Sequence, residues 1–302
     1  MAKAKLSARK KREYRAAFLM IAPVVIGIVV FFIIPTIWSM YLSFTEGPDY
    51  VTYDFVGLKN YQTLFSAGSD MGQELLNTVY YAFVSVGIGM VISVLLANAL
   101  NQKIKCQSLF RVIYFLPSVT MAAAVGMVWR SLLNSQYGIV NQALKAIGIP
   151  GPKWLTDPNF MMLGVIIVGV WSSVGYNMII LLSGLKNIPH GYYEAAMIDG
   201  ASRMQKIWYI TVPGLFSTYF VLLIMSIGNF LNTGMEQFYV FQNAMNKEHI
   251  EVLDLYVYNL GIGTSNNIPF ATAVGIMKSG IALLLFAFAN FLSKKVRGTS
   301  VF

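Results

Sequence analysis

The chain has 302 residues, 56% of them hydrophobic and only 12% charged, where soluble domains carry about 25% charged residues. The formal net charge is +9, but seven of the 22 Lys and Arg residues lie in the first fifteen positions, and Lys294, Lys295 and Arg297 lie near the other end. Basic clusters beside apolar runs are the inner flanks of a membrane protein, so the composition excludes a single water-soluble core and argues against a nucleic-acid partner.

Residues 1–15 form a basic tail, and residues 16–302 read as one membrane domain. The apolar run at about 18–42 is too long for a signal peptide and shows no small-residue cleavage site, so it reads as an uncleaved first span. Pro23 and Pro35 fall inside it, which is tolerable where neighbours re-satisfy the freed carbonyls. The segment 45–76 is acidic, with Glu46, Asp49, Asp54, Asp70 and Glu74 against Lys59 alone. Span two is about 77–100, where Gly87 and Gly89 would permit close helix approach. A short loop holds Lys103, Lys105 and Cys106, the single cysteine, which excludes an internal disulfide. Span three is about 109–133, with Arg111 at its inner flank and Arg130 snorkelling at its outer one. A Gly- and Pro-rich loop, 134–159, leads to span four at about 160–185, which carries no charge.

The stretch 187–213 breaks the apolar pattern. Pro189 suits a helix start, residues 192–199 read as helix with Glu194 and Asp199 on the polar side, and Gly200 suits a left-handed helix end. Residues 202–210 read as a second short helix carrying Arg203 and Lys206, and Pro213 opens span five at about 214–234. A helix–turn–helix held between two spans must lie at the membrane surface and face something. Its residues follow a pattern: Glu194-Ala195-Ala196, three residues, Gly200, nine residues, Ile210, one residue, Val212-Pro213. This resembles the EAA signature of ABC importer permeases, with Val212 where that signature has leucine. The resemblance implies that Glu194, Ala195, Ala196, Asp199 and Gly200 belong to a coupling helix that enters a cleft of a separate ATPase subunit.

A mixed segment, 235–269, precedes span six at about 270–292. Within it Val252, Leu255, Tyr256 and Asn259 fit one side of a short helix. Its aromatics, Phe238, Tyr239, Phe241, Tyr256 and Tyr258, suit either a docking surface for an extracytoplasmic protein or packing on the chain's own outer mouth. Six spans place both termini, the 101–108 loop and the 187–213 stretch on one side, which with Arg111 and Lys186 at its flanks collects 16 basic residues and only Glu13, Glu194 and Asp199 among the acids. The other side holds four basic and ten acidic residues, so the motif side is expected to be cytoplasmic.

Several chemistries are missing. There is no Gly-Lys dipeptide and hence no phosphate-cradling Walker loop, so ATP hydrolysis must come from another chain. His190 and His249 fall on opposite sides of the expected topology and cannot share a metal or acid–base site. No span has an acid at its middle, as proton- or sodium-coupled carriers usually do. Span four instead offers Ser173, Tyr176 and Asn177 on one face with Trp171 nearby, and span five adds Asn229 and Asn232. These are candidate cargo contacts; they serve equally as hydrogen-bonding glue between helices. Lys278, inside span six, needs an outer interface, an acid or carbonyl partner, or a water-filled path, and is the last candidate.

The resemblance extends beyond the motif. Ile21-Ala22-Pro23, Ile34-Pro35, Ser43-Phe44-Thr45 and Gly57-Leu58-Lys59-Asn60-Tyr61 are similar to sugar permeases of the maltose-transporter type. Gly234-Met235-Glu236-Gln237, Tyr256-Val257-Tyr258, Ala273-Val274-Gly275 and Lys278-Ser279 are similar to its subgroup for oligosaccharides and polysaccharide fragments. The implied protein is an all-α integral membrane permease of the type I ABC importer kind. It has six transmembrane helices with the cytoplasmic EAA coupling helix between the fourth and fifth. It would work with a second homologous permease, two ATPase subunits that bind ATP and Mg, and an extracytoplasmic sugar-binding protein, and would hold no cofactor itself. The competing reading is a self-contained channel or secondary carrier.

Overall fold

The structure, a computed structural model, describes residues 8–47, 53–66, 71–102, 104–263 and 265–297. Positions 1–7 of the expected basic tail, Asp49, Asp70 and Lys103 lie outside the described residues. The chain forms two compact units, one of Met1–Ser66 with Leu260–Ile276 and one of Ala67–Asn259 with Met277–Phe302.

In the first unit, helix α1 covers residues 8–42, and its part Tyr14–Leu42 is long and apolar enough to cross a membrane. None of its most apolar window is buried. Its middle, Val29–Ile33, is a π segment in which the Ile34 N–H reaches back to the Val29 carbonyl. Pro35 follows directly. A proline cannot donate to the carbonyl four residues back and its ring presses on that group, so the wider π turn lets the helix continue past it. Strands β1 (Thr45–Glu46) and β2 (Asp54–Phe55) then pair antiparallel, with Thr45 opposite Phe55. Helix α2 (Lys59–Leu64) locks this hairpin to the end of α1. Buried Asn60 donates to the carbonyls of Ser43 and Thr45 at 2.9 and 2.8 Å, and the Tyr61 hydroxyl lies 2.8 Å from Ser43 Oγ.

The second unit is built on α3 (Met71–Leu100) and α7 (Pro158–Lys186), packed together along their lengths. One cluster of buried side chains joins Tyr81, Met161, Val165, Phe238 and Val252; a second joins Met90, Ala97, Met178, Leu181 and Leu215. The close approaches occur on α7. A Cβ at Gly169 would overlap the Tyr81 hydroxyl, and one at Gly175 would overlap the Tyr114 carbonyl. The expected site at Gly87 faces open space, and Gly89 has only Ser173 Oγ near it, at 3.8 Å.

The expected third span is not one helix. It is α4 (Gln107–Val119) and α5 (Ala122–Leu132), bent by 103°. Pro117 has no N–H for the turn below it. The Ser118 hydroxyl takes the Phe115 carbonyl at 2.7 Å, the Thr120 hydroxyl takes the Leu116 carbonyl at 2.8 Å, and Thr120 is extended at φ −83° and ψ 141°. Side chains thus replace the helix's own donors, which lets it stop inside an apolar run. The described residues hold five helices long and apolar enough to cross a membrane, or six with this bent pair as one span.

The loop 134–159 holds a helix, α6 (Ile139–Ala146), tied down by buried Asn141, which donates to the Pro152 carbonyl at 3.0 Å and accepts from the Trp154 indole at 2.8 Å. Helix α8 (His190–Ile198) follows α7. The expected separate helix at 202–210 and span at 214–234 are one element, α9 (Arg203–Gly228). Its π segment, Ile207–Thr211, sends the Val212 N–H to the Ile207 carbonyl and admits Pro213, as Val29–Ile33 admits Pro35. Three short helices, α10 (Met235–Phe241), α11 (Lys247–Ile250) and α12 (Leu253–Tyr258), then close over the first of the two buried clusters. Val252, Leu255, Tyr256 and Asn259 are all buried. Phe238 and Phe241 are fully buried too, so these aromatics are core and not a docking surface; Tyr239 is the exposed one. Helix α13 (Ile268–Arg297) is the last span.

Candidate functional site

Two places in the second unit gather the polar residues that a helix packed in lipid would otherwise avoid. The first is a cavity of about 390 Å³ among α3, α7 and α9. Five candidates converge on it: Ser173, Tyr176 and Asn177 from α7, and Asn229 and Asn232 from the turn that ends α9. Tyr81, Ser85, Ser226 and Thr233 also line it. A second cavity, of about 350 Å³, shares Ser173, Tyr176 and Asn177 and adds Ser118, Thr120 and Gln237. One polar face of α7 therefore borders both spaces, and the bend between α4 and α5 supplies the far wall of the second.

Among the described residues no charged side chain lines either cavity. Their polar groups are hydroxyls and amides, including the phenols of Tyr81 and Tyr176, set among apolar side chains such as Val86, Met90 and Leu222, and each polar group can donate and accept. The Ser173 hydroxyl donates to the Val170 carbonyl at 3.2 Å and the Asn229 amide to the Met225 carbonyl at 3.1 Å, which leaves the acceptor oxygens of both for a guest. Trp171 is outside both linings. It is 45% exposed and meets Trp129 edge-on, with ring centroids 5.5 Å apart. Lys278 is also outside them. It forms an ion pair with Asp254, and both side chains are largely buried.

The second place is α8 and its turn. The helix has no buried residue, and Tyr192, Met197 and Ile198 are exposed apolar groups on it. It ends as the sequence directs. Gly200 sits at φ +74°, its N–H reaches the Met197 carbonyl at 3.2 Å, and the Ala201 N–H reaches the Ala196 carbonyl at 2.9 Å. That is a Schellman end, which needs a residue without a Cβ penalty at the left-handed position. Ser202 then opens α9 with a reciprocal capping box to Gln205. The Tyr193 hydroxyl lies 2.9 Å from Thr211 Oγ1, so α8 is tied to the π segment of α9. Arg203 bonds Gln102 of the preceding short loop. Ala195, Ala196 and Asp199 border a cavity of about 680 Å³ with Tyr192, Tyr209 and Ser217; Glu194 is exposed and outside it.

Sequence reading did not single out Tyr81, Ser85, Ser118, Thr120, Ser226, Thr233 or Gln237. Ser118 and Thr120 beside Pro117 were the readable signal for a break. The rest are ordinary polar residues until the fold brings them together. Among the described residues no three His, Cys, Asp or Glu side chains are placed to hold a metal ion.

A family model described as binding-protein-dependent transport system inner membrane component matches residues 89–298. The chain is 30% identical over 292 residues to the polygalacturonan/rhamnogalacturonan transport system permease protein YteP of Bacillus subtilis, covering 94% of this chain and 89% of that one. It is 33% identical over 274 residues to the arabinooligosaccharides transport system permease protein AraP of Halalkalibacterium halodurans, covering 89% and 84%. Among solved structures it is similar to a chain of a bacterial alginate ABC transporter in complex with an alginate pentasaccharide-bound periplasmic protein. There the TM-score is 0.85 at 27% identity, over 96% of this chain and 98% of that chain.

Proposed function

The chain belongs to the binding-protein-dependent transport system inner membrane components, and on that premise we propose that it carries oligosaccharides or polysaccharide fragments inward through the bilayer. It is a multi-pass permease subunit and not a catalytic enzyme. The cargo would arrive from an extracytoplasmic sugar-binding protein. A second, similar permease would complete the pathway, and two ATPase subunits holding ATP and Mg²⁺ would drive it. The exposed helix His190–Ile198, with Glu194, Ala195, Ala196, Asp199 and Gly200, would couple those subunits to the spans, with both termini on the cytoplasmic side.

The observation that carries this reading is the convergence of Ser173, Tyr176, Asn177, Asn229 and Asn232 on one uncharged cavity. A saccharide presents hydroxyls that both donate and accept, and neutral amides and hydroxyls match them without the desolvation penalty of a buried charge. The named sugar permeases to which the chain is similar point the same way.

The test is reconstitution of the chain with its partner permease, ATPase subunits and binding protein in liposomes, with labelled arabino-oligosaccharides and galacturonan fragments as cargo. The expected result is accumulation that requires ATP and survives an ionophore. Uptake without nucleotide, or uptake that an ionophore abolishes, would instead identify a self-contained channel or carrier.

A further inference from the structure

The outer wall of the membrane cavity is a turn, not a helix. Past Gly228 the chain reverses through 229–234, where the Asn232 N–H bonds the Asn229 carbonyl at 2.8 Å and Gly234 leaves at φ +76°. Asn229, Asn232 and Thr233 all line the cavity. The loose backbone donors of this turn go to one acceptor. Asp254 Oδ2 takes the N–H of Thr233 at 2.9 Å and that of Gly234 at 3.2 Å, with the Thr233 hydroxyl 3.5 Å away. Its other oxygen, Oδ1, is paired with Lys278 Nζ. The two side chains are only 20% and 13% exposed. Asp254 is in turn fixed from the far side. Its neighbour Leu253 is fully buried, and the Leu253 N–H donates to Thr78 Oγ1 of α3 at 2.9 Å.

A carboxylate buried this far needs a counter-charge, or it draws water or a proton into the site. Asp254 without Lys278 would therefore hold the turn poorly, and Lys278 without Asp254 would be an unpaired cation in a spanning helix. We propose that Lys278 and Asp254 form a latch that fixes the 229–234 turn as the outer wall of the cargo cavity. Lys278 is thus a positioning residue: it reaches the cargo through Asp254 and Thr233 and makes no contact of its own. The proposal rests on the cavity being the cargo path, but its test reads the wall itself.

In a Cys106→Ser background, a nitroxide at Asn232→Cys reports the mobility of the turn, and one at Ile139→Cys, exposed on α6, serves as the control. The full chain is used in its purified complex, without cargo. K278M and D254N are each expected to raise the mobile spectral component at 232 by about two-fold or more, the low end of coupling between residues in contact. K278R should leave it as in the parent. The K278M/D254N double should be no more mobile than the more mobile single, because both substitutions cut one connection. The double variant also leaves no unpaired charge, so it keeps the test alive should K278M fail to fold. An unchanged spectrum at 232 in K278M, or in the double where K278M does not fold, overturns the latch. Equal mobilisation at 139 overturns it too, because the outer face as a whole has then loosened. An unlabelled parental complex that fails to hydrolyse ATP in the presence of its binding protein and saccharide, while the labelled variants show the expected spectra, would sink the importer reading and leave the latch standing.

Discussion

Glu194 and Gly200 sit six positions apart and would fail in different ways. Glu194 is exposed and lines no cavity, so Glu194→Lys reverses a charge without disturbing any packed group. Gly200→Pro forces φ to about −65° where the turn needs +74°, and so removes the Schellman end. Both proteins should reach the membrane in normal amounts. Both should lose at least about ten-fold in ATP-driven uptake, the effect of roughly 1.4 kcal/mol at a contact. Quantitative immunoblots of membranes beside uptake assays check this. Uptake at the parental rate in either variant would remove the coupling assignment. The helix end at Gly200 was readable in advance because everything that fixes it lies within one local turn. The Lys278–Asp254 pair was not. Its partners are 24 positions apart on different elements, and the short helix that carries Asp254 could be read locally while its pairing with the last span could not.

At the scale of elements, polar residues followed by Pro213 make 202–210 and 214–234 read as separate, yet the π segment Ile207–Thr211 absorbs Pro213 and the helix is continuous from Arg203 to Gly228. The opposite error occurred at 109–133. An unbroken apolar run hid a break made by Pro117, Ser118 and Thr120, because their hydroxyls are satisfied within the helix and need no solvent. On the proposed coupling role, α8 would act on a continuous α9, and the Tyr193–Thr211 hydrogen bond is the join between them. Tyr193→Phe should cost about 1 kcal/mol at that join and leave insertion intact. The expected signature is ATP turnover maintained while uptake per ATP falls. Unchanged stoichiometry would mean that the bond carries no thrust.

For the whole molecule, orientation is the property that charge placement predicts most directly. Cys106 is the chain's single cysteine and it is exposed, so it reports sidedness without engineering. A membrane-impermeant maleimide should label it in inside-out vesicles and spare it in intact cells. Labelling from outside would invert the topology and detach α8 from any cytoplasmic partner. The spans themselves were legible because length and apolarity are properties of the chain alone. The cavity was legible only in part: the polar faces of α7 and α9 could be named, whereas Tyr81 and Thr233 became lining only through packing.

The bare first helix has a consequence for how the protein is made. Tyr14–Leu42 buries none of its most apolar window, whereas Pro158–Lys186 buries 56% of its own. A segment that buries none of that window against its own chain needs no later span of that chain in place before it enters the lipid. It should therefore partition out of the translocon as soon as it emerges, while the ribosome is still far from the fourth span. The central helix, with its serines and asparagine, has the reverse need: α3 precedes it in the chain and should be held beside the insertion machinery to receive it. Synthesis would then proceed from an autonomous anchor to a dependent core.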